Sequence, residues 1–366
     1  MKIMEGNKIR LRSRVRTIVR GTEMIFGLKN SFNSLKCWDS STIKLLQTWR
    51  EGGTIQEFFS QIRVLGGENE HSYHQFLNTL ISEGFFEKLD IKHNLAMQDY
   101  ARWAKTVDFF SEFETDEISR FDYMERLRNS KVLVVGLGGM GSWVLYQLLC
   151  LGIGNIYIID GDRIEITNLN RSILYTPTDV GRWKKDCAIE VAQKFAPTTK
   201  VEGHVGYLTS AESLTPYLDG VDLVIGCADQ PLWLVQQWIG EACMQKQIPF
   251  ITGTGGKVGP LCIPGKTACI MCHLAGLIEK NPDLEKSIEI QRELPTGHSG
   301  GIVSSGSMAA SFIAGEAFRY ISGAMKPTTL NSMWGMQPNL TSQIIPVKKH
   351  SACKVCEINQ LVKSES

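Results

Sequence analysis

A glycine-rich segment is the first part of this sequence whose residue types and spacing can do chemistry. Four glycines lie in KVLVVGLGGMGSW, between an apolar run and a helical pattern: Gly136, Gly138, Gly139 and Gly141. Glycines let the backbone turn sharply and let a phosphate approach its N–H groups, and a following helix offers the positive end of its dipole. The segment therefore predicts a nucleotide loop; a glycine turn that binds no ligand is the alternative.

A carboxylate follows this loop at the distance that a nucleotide site requires. Asp160 ends the next apolar run, 19 residues after Gly141. From the tip of that strand a carboxylate can bond ribose hydroxyls. The loop and Asp160 together fit NAD and ATP equally well.

The residues after this carboxylate separate the two ligands. The segment 160–186 is dense in charged and amide side chains: Asp160, Asp162, Asn168, Asn170, Arg171 and Lys184. Hydride transfer has no need of that density, whereas a triphosphate with a metal ion does, because cations bind phosphate oxygens and carboxylates bind Mg²⁺. The segment therefore favours ATP with Mg²⁺, against the alternative of a solvated charged loop.

Two tight cysteine pairs predict a second, structural site. The pairs are Cys269-x₂-Cys272 and Cys353-x₂-Cys356, with 80 residues between them. Four thiolates in two such knuckles suit tetrahedral zinc without an open position for chemistry. We expect the metal to fasten the end of the chain to the body; a redox role is the weaker reading, because neither pair sits at a turn from strand to helix.

The order of these motifs resembles the ubiquitin-activating-enzyme-like superfamily, which includes the ThiF and MoeB enzymes. GxGGxG, D-x-D, N-L-N-R and V-G-x-x-K follow one another, and the resemblance covers about 120–357. It implies an ATP-dependent adenylating enzyme in which the glycine loop holds ATP and Asp160 binds ribose. The positions that match phosphate-contacting or Mg²⁺-binding residues of the family are Asn168, Arg171, Lys184 and, for Mg²⁺, Asp229 in VIGCADQPLW. Ser172 and Arg182 depart from the family's usual Gln and Lys.

One further arginine matches a family feature. QDYARW at 98–103 resembles a family segment whose arginine reaches the ATP of the partner subunit in a dimer, and Arg102 takes that place. The resemblance thus implies a homodimer and a catalytic role for Arg102. A solvent-exposed arginine is the alternative.

Alternating strand and helix patterns surround these motifs and predict a doubly wound, Rossmann-like α/β sheet. We expect an adenylation domain with zinc at 131–357 and a tail at 358–366. The predicted elements are strands at Lys131–Val135, Asn155–Ile159, Asp222–Gly226 and Pro249–Thr252, and helices at Ser142–Leu151 and 302–322.

The first 92 residues form a separate pattern. Period-two alternation predicts a strand over Ile9–Val19 with a hairpin partner at Met24–Leu28. Three helices follow, at Ser40–Trp49, from Thr54, and from Ser72 to Gly84, and then a short strand. This is a winged-helix-like domain at 1–92, and the polar stretch 93–130 is expected to be a connecting arm.

Such a module ahead of an adenylation domain resembles the peptide clamp of enzymes that modify ribosomal peptides, of the pantocin A and microcin C types. In these enzymes a leader peptide adds a strand to the clamp sheet. The basic row Arg10–Arg16 would then meet acidic leader residues, or else form a solvated strand face. A DNA-reading winged helix is disfavoured, because the third helix contains no Lys or Arg.

The leading hypothesis is therefore MgATP-dependent activation of carboxylates on a ribosomally made precursor peptide during antibiotic biosynthesis, with cyclisation of Glu side chains. Alternatives are an AMP phosphoramidate at the peptide C-terminus, adenylation of a sulfur-carrier protein, a zinc-containing nucleotide-binding adaptor, and a nicotinamide oxidoreductase. Gly297–Ser307 is expected to shape the substrate pocket. His298 is a candidate for proton transfer or a plain loop histidine.

Composition excludes other classes of function. The chain has 366 residues, an ordinary globular balance and a formal net charge of +1. That charge provides no field suited to nucleic acid or a membrane surface. The sequence shows no apolar run of about 18 residues and no signal-peptide pattern, so we expect a cytoplasmic protein.

Overall fold

The structure is a computed structural model that divides the chain into two compact units, Met1–Asp122 and Tyr123–Ser366. The boundary lies 30 residues beyond the end of the domain predicted at 1–92, within the stretch predicted as an arm. The residues described are 3, 6–28, 31–36, 40–65, 67–254, 256–294, 301–337, 339 and 341–358.

The first unit contains short strands and helices around one apolar core. In chain order these are β1 (Lys8–Leu11), β2 (Arg16–Arg20), β3 (Glu23–Leu28), β4 (Ser31–Lys36), α1 (Ser40–Glu51), β5 (Gly53–Thr54), α2 (Ile55–Leu65), α3 (Glu70–Ser82), β6 (Phe86–Lys88) and α4 (Met97–Phe110). α5 (Arg120–Asn129) follows and crosses the unit boundary. The strands form two antiparallel sheets, β5–β1–β6 and β2–β3–β4.

The single strand predicted over Ile9–Val19 is wrong. β1 ends at Leu11, the Val15 N–H donates to the Arg12 carbonyl at 3.1 Å, and the chain continues in β2 within the other sheet. Ile9 and Leu11 still face the core, as the alternation indicated. The predicted hairpin is confirmed, because β2 pairs with β3.

The basic row is largely occupied by partners within the same unit. Arg10 Nε donates to Glu87 Oε1 at 2.6 Å, and Arg14 pairs with Glu112. Arg12 donates to two backbone carbonyls, and burial lowers its pKa below the ordinary value although nearby carboxylates oppose the shift. Three of the four arginines are therefore poorly placed to meet an acidic peptide.

The predicted helices of the first unit are confirmed, with one shifted start. Thr54 and Glu57 form a capping box at the start of α2, with the Thr54 N–H 2.7 Å from Glu57 Oε2 and the Glu57 N–H 3.2 Å from Thr54 Oγ1. α3 begins at Glu70 and not at Ser72.

The second unit is an α/β layer structure. Its elements in chain order are β7 (Lys131–Val135), α6 (Gly139–Leu151), β8 (Asn155–Ile159), α7 (Lys184–Phe195), β9 (Lys200–His204), β10 (Leu223–Gly226), α8 (Leu234–Gln245), β11 (Phe250–Thr254), β12 (Lys257–Val258), α9 (Ile270–Lys280), α10 (Asp283–Glu293), α11 (Val303–Ser322), β13 (Ser332–Met336) and β14 (Ser342–Pro346). β7 and β8 match their predicted bounds, while α6 begins three residues before the predicted Ser142.

The eight-stranded sheet of this unit has the order β14–β13–β12–β11–β10–β7–β8–β9. The strands from β11 to β9 are parallel, and β12, β13 and β14 are antiparallel additions. The chain runs outward from β7 to β9 and then returns to β10 on the other side of β7. In such doubly wound sheets ligands bind where the strand order reverses, outside the carboxyl ends of the strands. The predicted α/β fold class is confirmed, and the reversal lies between β7 and β10.

None of the helices built from the described residues is long and apolar enough to cross a membrane.

The turn from β7 into α6 requires two glycines for different reasons. Gly136 has a φ of +94°, and a Cβ there would lie 2.8 Å from the Ala228 nitrogen after β10. A Cβ on Gly141 would lie 1.9 Å from the Gly136 carbonyl oxygen. A side chain at either position would therefore force backbone apart, whereas a Cβ on Gly138 would meet no atom within 4 Å.

Replacing Gly141 should destabilise the second unit. We expect Gly141→Ala to lower the free energy of unfolding by about 2 kcal/mol or more, because α6 must move away from the loop. Gly138→Ala is the matched control and should cost no more than about 1 kcal/mol, the loss of a glycine at the helix N-cap. Denaturant unfolding of both variants tests this, and equal losses would contradict the packing described.

Candidate active site

The backbone of Leu137, inside the glycine loop, is held from both sides. Its N–H donates to Asp160 Oδ2 at 2.6 Å, and its carbonyl accepts from the Tyr175 hydroxyl at 2.9 Å. Both partners are buried. Burial, with a contribution from Asp160, raises the pKa of Tyr175, so its hydroxyl remains a donor. The loop conformation is thus fixed before any ligand arrives.

Asp160 also organises the acidic turn that follows β8. Its Oδ1 accepts from the Asp162 N–H at 2.8 Å. Burial raises the pKa of Asp160, while Lys184 and the two backbone donors act in the opposite direction. Each oxygen of Asp160, the carboxylate predicted to bind ribose, therefore already accepts one backbone hydrogen bond.

Lys184 and Asp162 form an ion pair beside this turn. Lys184 is only 5% exposed and is the first residue of α7. Its Nζ lies 2.7 Å from Asp162 Oδ2, and the Tyr207 hydroxyl donates to Asp162 Oδ1 at 2.7 Å. Burial alone would raise the pKa of Asp162, but these two hydrogen bonds outweigh it and the pKa lies below its ordinary range.

A cavity of about 570 Å³ opens at the carboxyl ends of β7, β8 and β10. It brings together three predicted regions: the glycine loop at Gly136 and Gly138, the acids Asp160 and Asp162, and the exposed Asp229 after β10. Such a volume suits a nucleotide-sized ligand. Asp229 is separated from the glycine loop by some 90 residues of sequence, yet both line this cavity.

Of the other predicted phosphate-contacting residues, Arg171 lies at the start of α6. A Cβ on Gly139 would lie 3.0 Å from Arg171 Cγ and Cδ, so the Arg171 side chain rests on the loop. The Trp143 indole donates to the Arg171 carbonyl at 3.1 Å. Asn170 Oδ1 accepts from Arg171 Nη1, and Asn168 is buried with its Oδ1 on the Glu165 N–H. Asn168 therefore shapes the turn itself.

Two predicted residues are not placed at this site by the structure. Arg102 is exposed on α4 in the first unit, with its guanidinium 5.5 Å from the Trp103 ring. Its role across a dimer stays a prediction. His298 and the segment 295–300 lie outside the described residues, whereas the segment from Gly301 leads into α11, with the Gly301 Cβ position 3.6 Å from Arg171 Cδ.

The sequence interpretation missed three side chains at this site. Tyr175 and Tyr207 are single aromatic residues in loops, and Arg292, which lines the cavity and donates to the Leu232 carbonyl at 2.8 Å, belongs to a polar helix. None of them belongs to a sequence motif or lies at a spacing from one that would indicate a role. Only the three-dimensional structure shows that the Tyr175 hydroxyl donates to the Leu137 carbonyl and the Tyr207 hydroxyl to Asp162.

The four predicted metal ligands converge. The Sγ atoms of Cys269, Cys272, Cys353 and Cys356 all lie within 4.8 Å of one another. The distances from Cys269 are 3.8, 3.6 and 3.5 Å, and Cys272 lies 3.4 Å from Cys356. Tetrahedral zinc with Zn–S bonds of about 2.3 Å spaces its sulfur atoms by about 3.8 Å. Four buried or half-buried thiols at these distances fit zinc and are too far apart for disulfides.

Comparison with known protein families agrees with this geometry. The ThiF family matches residues 109–355 of the 366. The chain belongs to the ThiF family. The first 108 residues lie outside the match.

Among curated relatives, the sulfur carrier protein ThiS adenylyltransferase of Escherichia coli is 28% identical over 246 residues, covering 66% of this chain and 91% of that protein. Matches to the first curated relatives are more partial. They span between 23% and 44% of those proteins' own lengths.

Solved structures share the fold over nearly the whole chain. The structure of E. coli MccB with ATP has a TM-score of 0.71 at 20% identity and covers 95% of this chain and 99% of that one. PaaA has a TM-score of 0.69 at 20% identity, covering 92% and 99%. At this identity the comparison shows the fold.

Removal of one thiolate should release the metal. We expect Cys272→Ser to reduce bound zinc from about one per chain to a small fraction and to lower the unfolding temperature, because a structural zinc contributes directly to folding. Elemental analysis and thermal unfolding are the measurements. Cys150→Ser, at an exposed cysteine, is the control and should keep both values; a zinc-free wild-type protein of equal stability would contradict the assignment.

The stability that Lys184 provides should depend on pH. Because the folded pKa of Asp162 is lowered, the pair stabilises the fold above the ordinary carboxylate pKa and this contribution is lost as pH falls through the folded pKa. Lys184→Met should therefore cost about 1 kcal/mol at neutral pH, discounted for the half-exposed carboxylate, and less near pH 3. Lys200→Met, at an exposed pair, is the control. A loss independent of pH would exclude the ion pair as its cause.

Proposed function

We propose that this chain is an ATP-dependent adenylating enzyme that activates a carboxylate of a ribosomally made precursor peptide. The observation that carries the proposal is the cavity where the strand order reverses. There the glycine loop and the acids Asp160 and Asp229 line one space. Lys184 is paired with Asp162 of the same lining, and Arg171 lies against Gly139 of the loop. Membership of the ThiF family supports the same reaction class.

The geometry suits attack at the α-phosphorus of ATP. The glycine loop and the start of α6 present N–H groups to phosphate oxygens, and Arg171 lies against that loop. A carboxylate oxygen of the peptide attacks the α-phosphorus, the bond to the bridging oxygen breaks, and pyrophosphate leaves. The protein needs no strong base for this step, since positioning and neutralisation of charge supply the catalysis.

Asp229 is the residue that would hold Mg²⁺. It is exposed, lines the cavity and lies three residues after the end of β10. Carboxylate oxygen is the ligand type that Mg²⁺ prefers, and the ion neutralises charge on the phosphates when bound.

The first unit supports a peptide as the substrate. It lies almost entirely outside the family match, while the likeness to MccB and PaaA covers more than nine tenths of the chain. MccB has also been solved with N-formylated MccA. Each of the two small sheets of the first unit has two edge strands with one partner each, and all residues of one of them, β2, are exposed. A leader peptide paired along such an open edge gains main-chain hydrogen bonds.

The thiols near the nucleotide motifs support completion of the reaction within the substrate. Burial raises the pKa of Cys227 to about 12 and that of Cys187 to about 11. Neither is a ready nucleophile for an acyl group. We therefore propose that the activated Glu side chain is captured inside the peptide, giving cyclisation; transfer of AMP to the peptide C-terminus is the alternative form.

A second candidate function is adenylation of a sulfur-carrier protein. The relative that favours it is the E. coli ThiS adenylyltransferase, whose match covers 91% of that protein. This function needs only the second unit, so it leaves the first unit without a role. We further propose a cytoplasmic homodimer in which Arg102 serves the partner's nucleotide.

Replacement of Asp229 should abolish most of the activity. We expect Asp229→Asn to lower AMP release about 100-fold or more, because the site would hold Mg²⁺ less well and the ion would no longer neutralise the charge of the triphosphate. AMP and pyrophosphate are measured by mass spectrometry. Asp219→Asn, at an exposed loop residue outside the cavity, should match the wild type. Equal AMP release by both variants would contradict the Mg²⁺ assignment.

Labelled substrates distinguish the candidate reactions. The protein is incubated with ATP and, separately, with a peptide containing ¹⁸O-labelled Glu, a peptide ending in Asn, and a small carrier protein ending in Gly-Gly. Cyclisation moves one ¹⁸O into AMP and removes one water from the peptide, whereas AMP transfer adds an AMP to the second probe. Activity on the carrier protein alone would favour the second candidate, and NADH turnover without peptide would overturn the reaction class.

A further inference from the structure

Tyr207 is an exposed aromatic residue with an unusual attachment. It lies three residues after β9, the residue is 67% exposed, and it lines the cavity together with its neighbours Gly206 and Leu208. A Cβ built on Gly161 would lie 2.6 Å from the Tyr207 ring, so one part of the ring rests against that glycine. Its hydroxyl donates to Asp162 at 2.7 Å.

These contacts hold the ring in one place although most of its surface is open. The tip of the side chain is held by the Asp162 carboxylate, and the ring rests against Gly161. Any larger residue at position 161 would displace the ring. The hydrogen bond to Asp162 raises the pKa of Tyr207 to about 12. The phenol therefore remains a donor at all pH values near neutrality.

The Tyr207 ring lies at the end of the cavity that contains the acidic turn after β8. The Gly206 N–H donates to the Asp160 carbonyl at 3.3 Å, so the segment with Tyr207 adjoins the acidic turn. The phosphate-binding features, the glycine loop and Arg171, lie at the start of α6. An aromatic face beside the acid proposed for ribose is suited to the nucleoside and not to the phosphates.

We propose that Tyr207 is a nucleoside-binding residue of this site and also a positioning residue for Asp162: its exposed ring packs on the nucleoside of ATP, and its hydroxyl orients the carboxylate that holds Lys184. The inference rests on the proposed adenylating function. It adds a residue on which nucleotide affinity depends and which lies outside the sequence motifs described above.

The two roles make separable predictions. Removing the ring should weaken ATP binding about tenfold, the usual order of a lost stacking contact, without changing the binding of inorganic triphosphate. Removing only the hydroxyl leaves the stacking surface intact. It deprives Asp162 of one of its two side-chain donors, so the pKa of Asp162 should rise.

The experiment is calorimetric titration of the full chain with MgATP and, separately, with magnesium tripolyphosphate, between about pH 2.5 and pH 8.5, a range that includes the lowered pKa of Asp162. Tyr207→Ala should lose about tenfold in affinity for MgATP and none for tripolyphosphate. Tyr207→Phe should keep the wild-type affinity for MgATP at pH 8, while the acidic inflection in its plot of affinity against pH moves upward by about half a unit or more. Tyr217→Phe, whose ring stacks on Tyr157 outside the cavity, is the matched control and should change neither quantity.

The outcomes test the two proposed roles of Tyr207 separately. If Tyr207→Ala weakens both ligands equally, or neither, the nucleoside contact is overturned; if the inflection of Tyr207→Phe coincides with that of the wild type, the positioning role is overturned. Thermal unfolding of the variants separates loss of fold from loss of contact. Failure of the wild type to bind MgATP would refute the proposed function, and this inference with it, whereas wild-type binding with unchanged variants refutes the inference alone.

Discussion

The nucleotide site depends on the backbone of one residue, Leu137, whose N–H is held by Asp160 and whose carbonyl is held by Tyr175. A buried backbone group without a partner costs free energy comparable to a lost hydrogen bond. Such groups are paired with backbone, with side chains or with ordered water. Here two buried side chains are the partners, and they fix the curvature of the glycine loop, the start of α6 and the direction in which the loop N–H groups face the cavity.

The same carboxylate connects the loop to the chemistry beside it. Asp160 accepts from Asp162, Asp162 binds Lys184 and Tyr207, and the chain of contacts runs from the tip of β8 to the start of α7 and the end of β9. The return of the chain to β10 then places Asp229 at the other side of β7. Acids from the turns after β8 and β10 thus lie at one edge of the sheet, and Lys184 at the start of α7 is bound to one of them. That arrangement suits a triphosphate with a divalent ion far better than a hydride carrier.

The parts that sequence could predict have strong local signals. β7 and β8 are continuous apolar runs, the glycines precede a helical pattern, and paired cysteines have metal-ligand spacing. The alternation over Ile9–Val19 indicated the correct buried faces but not the turn between Arg12 and Val15. The partners of Arg10 and Arg14, Glu87 and Glu112, lie 77 and 98 residues away in sequence. Tyr175 and Tyr207 have no periodic signal at all, because only the tertiary fold brings each hydroxyl to its acceptor.

The proposed roles of the four-cysteine cluster and of the first unit matter only if the cavity binds ATP. Titration of the wild-type chain with MgATP and with NADH under identical conditions tests that claim most directly. The account predicts saturable binding of one MgATP per chain at concentrations below about 1 mM, with no measurable heat from NADH. Tighter binding of NADH, or no binding of MgATP, would contradict it.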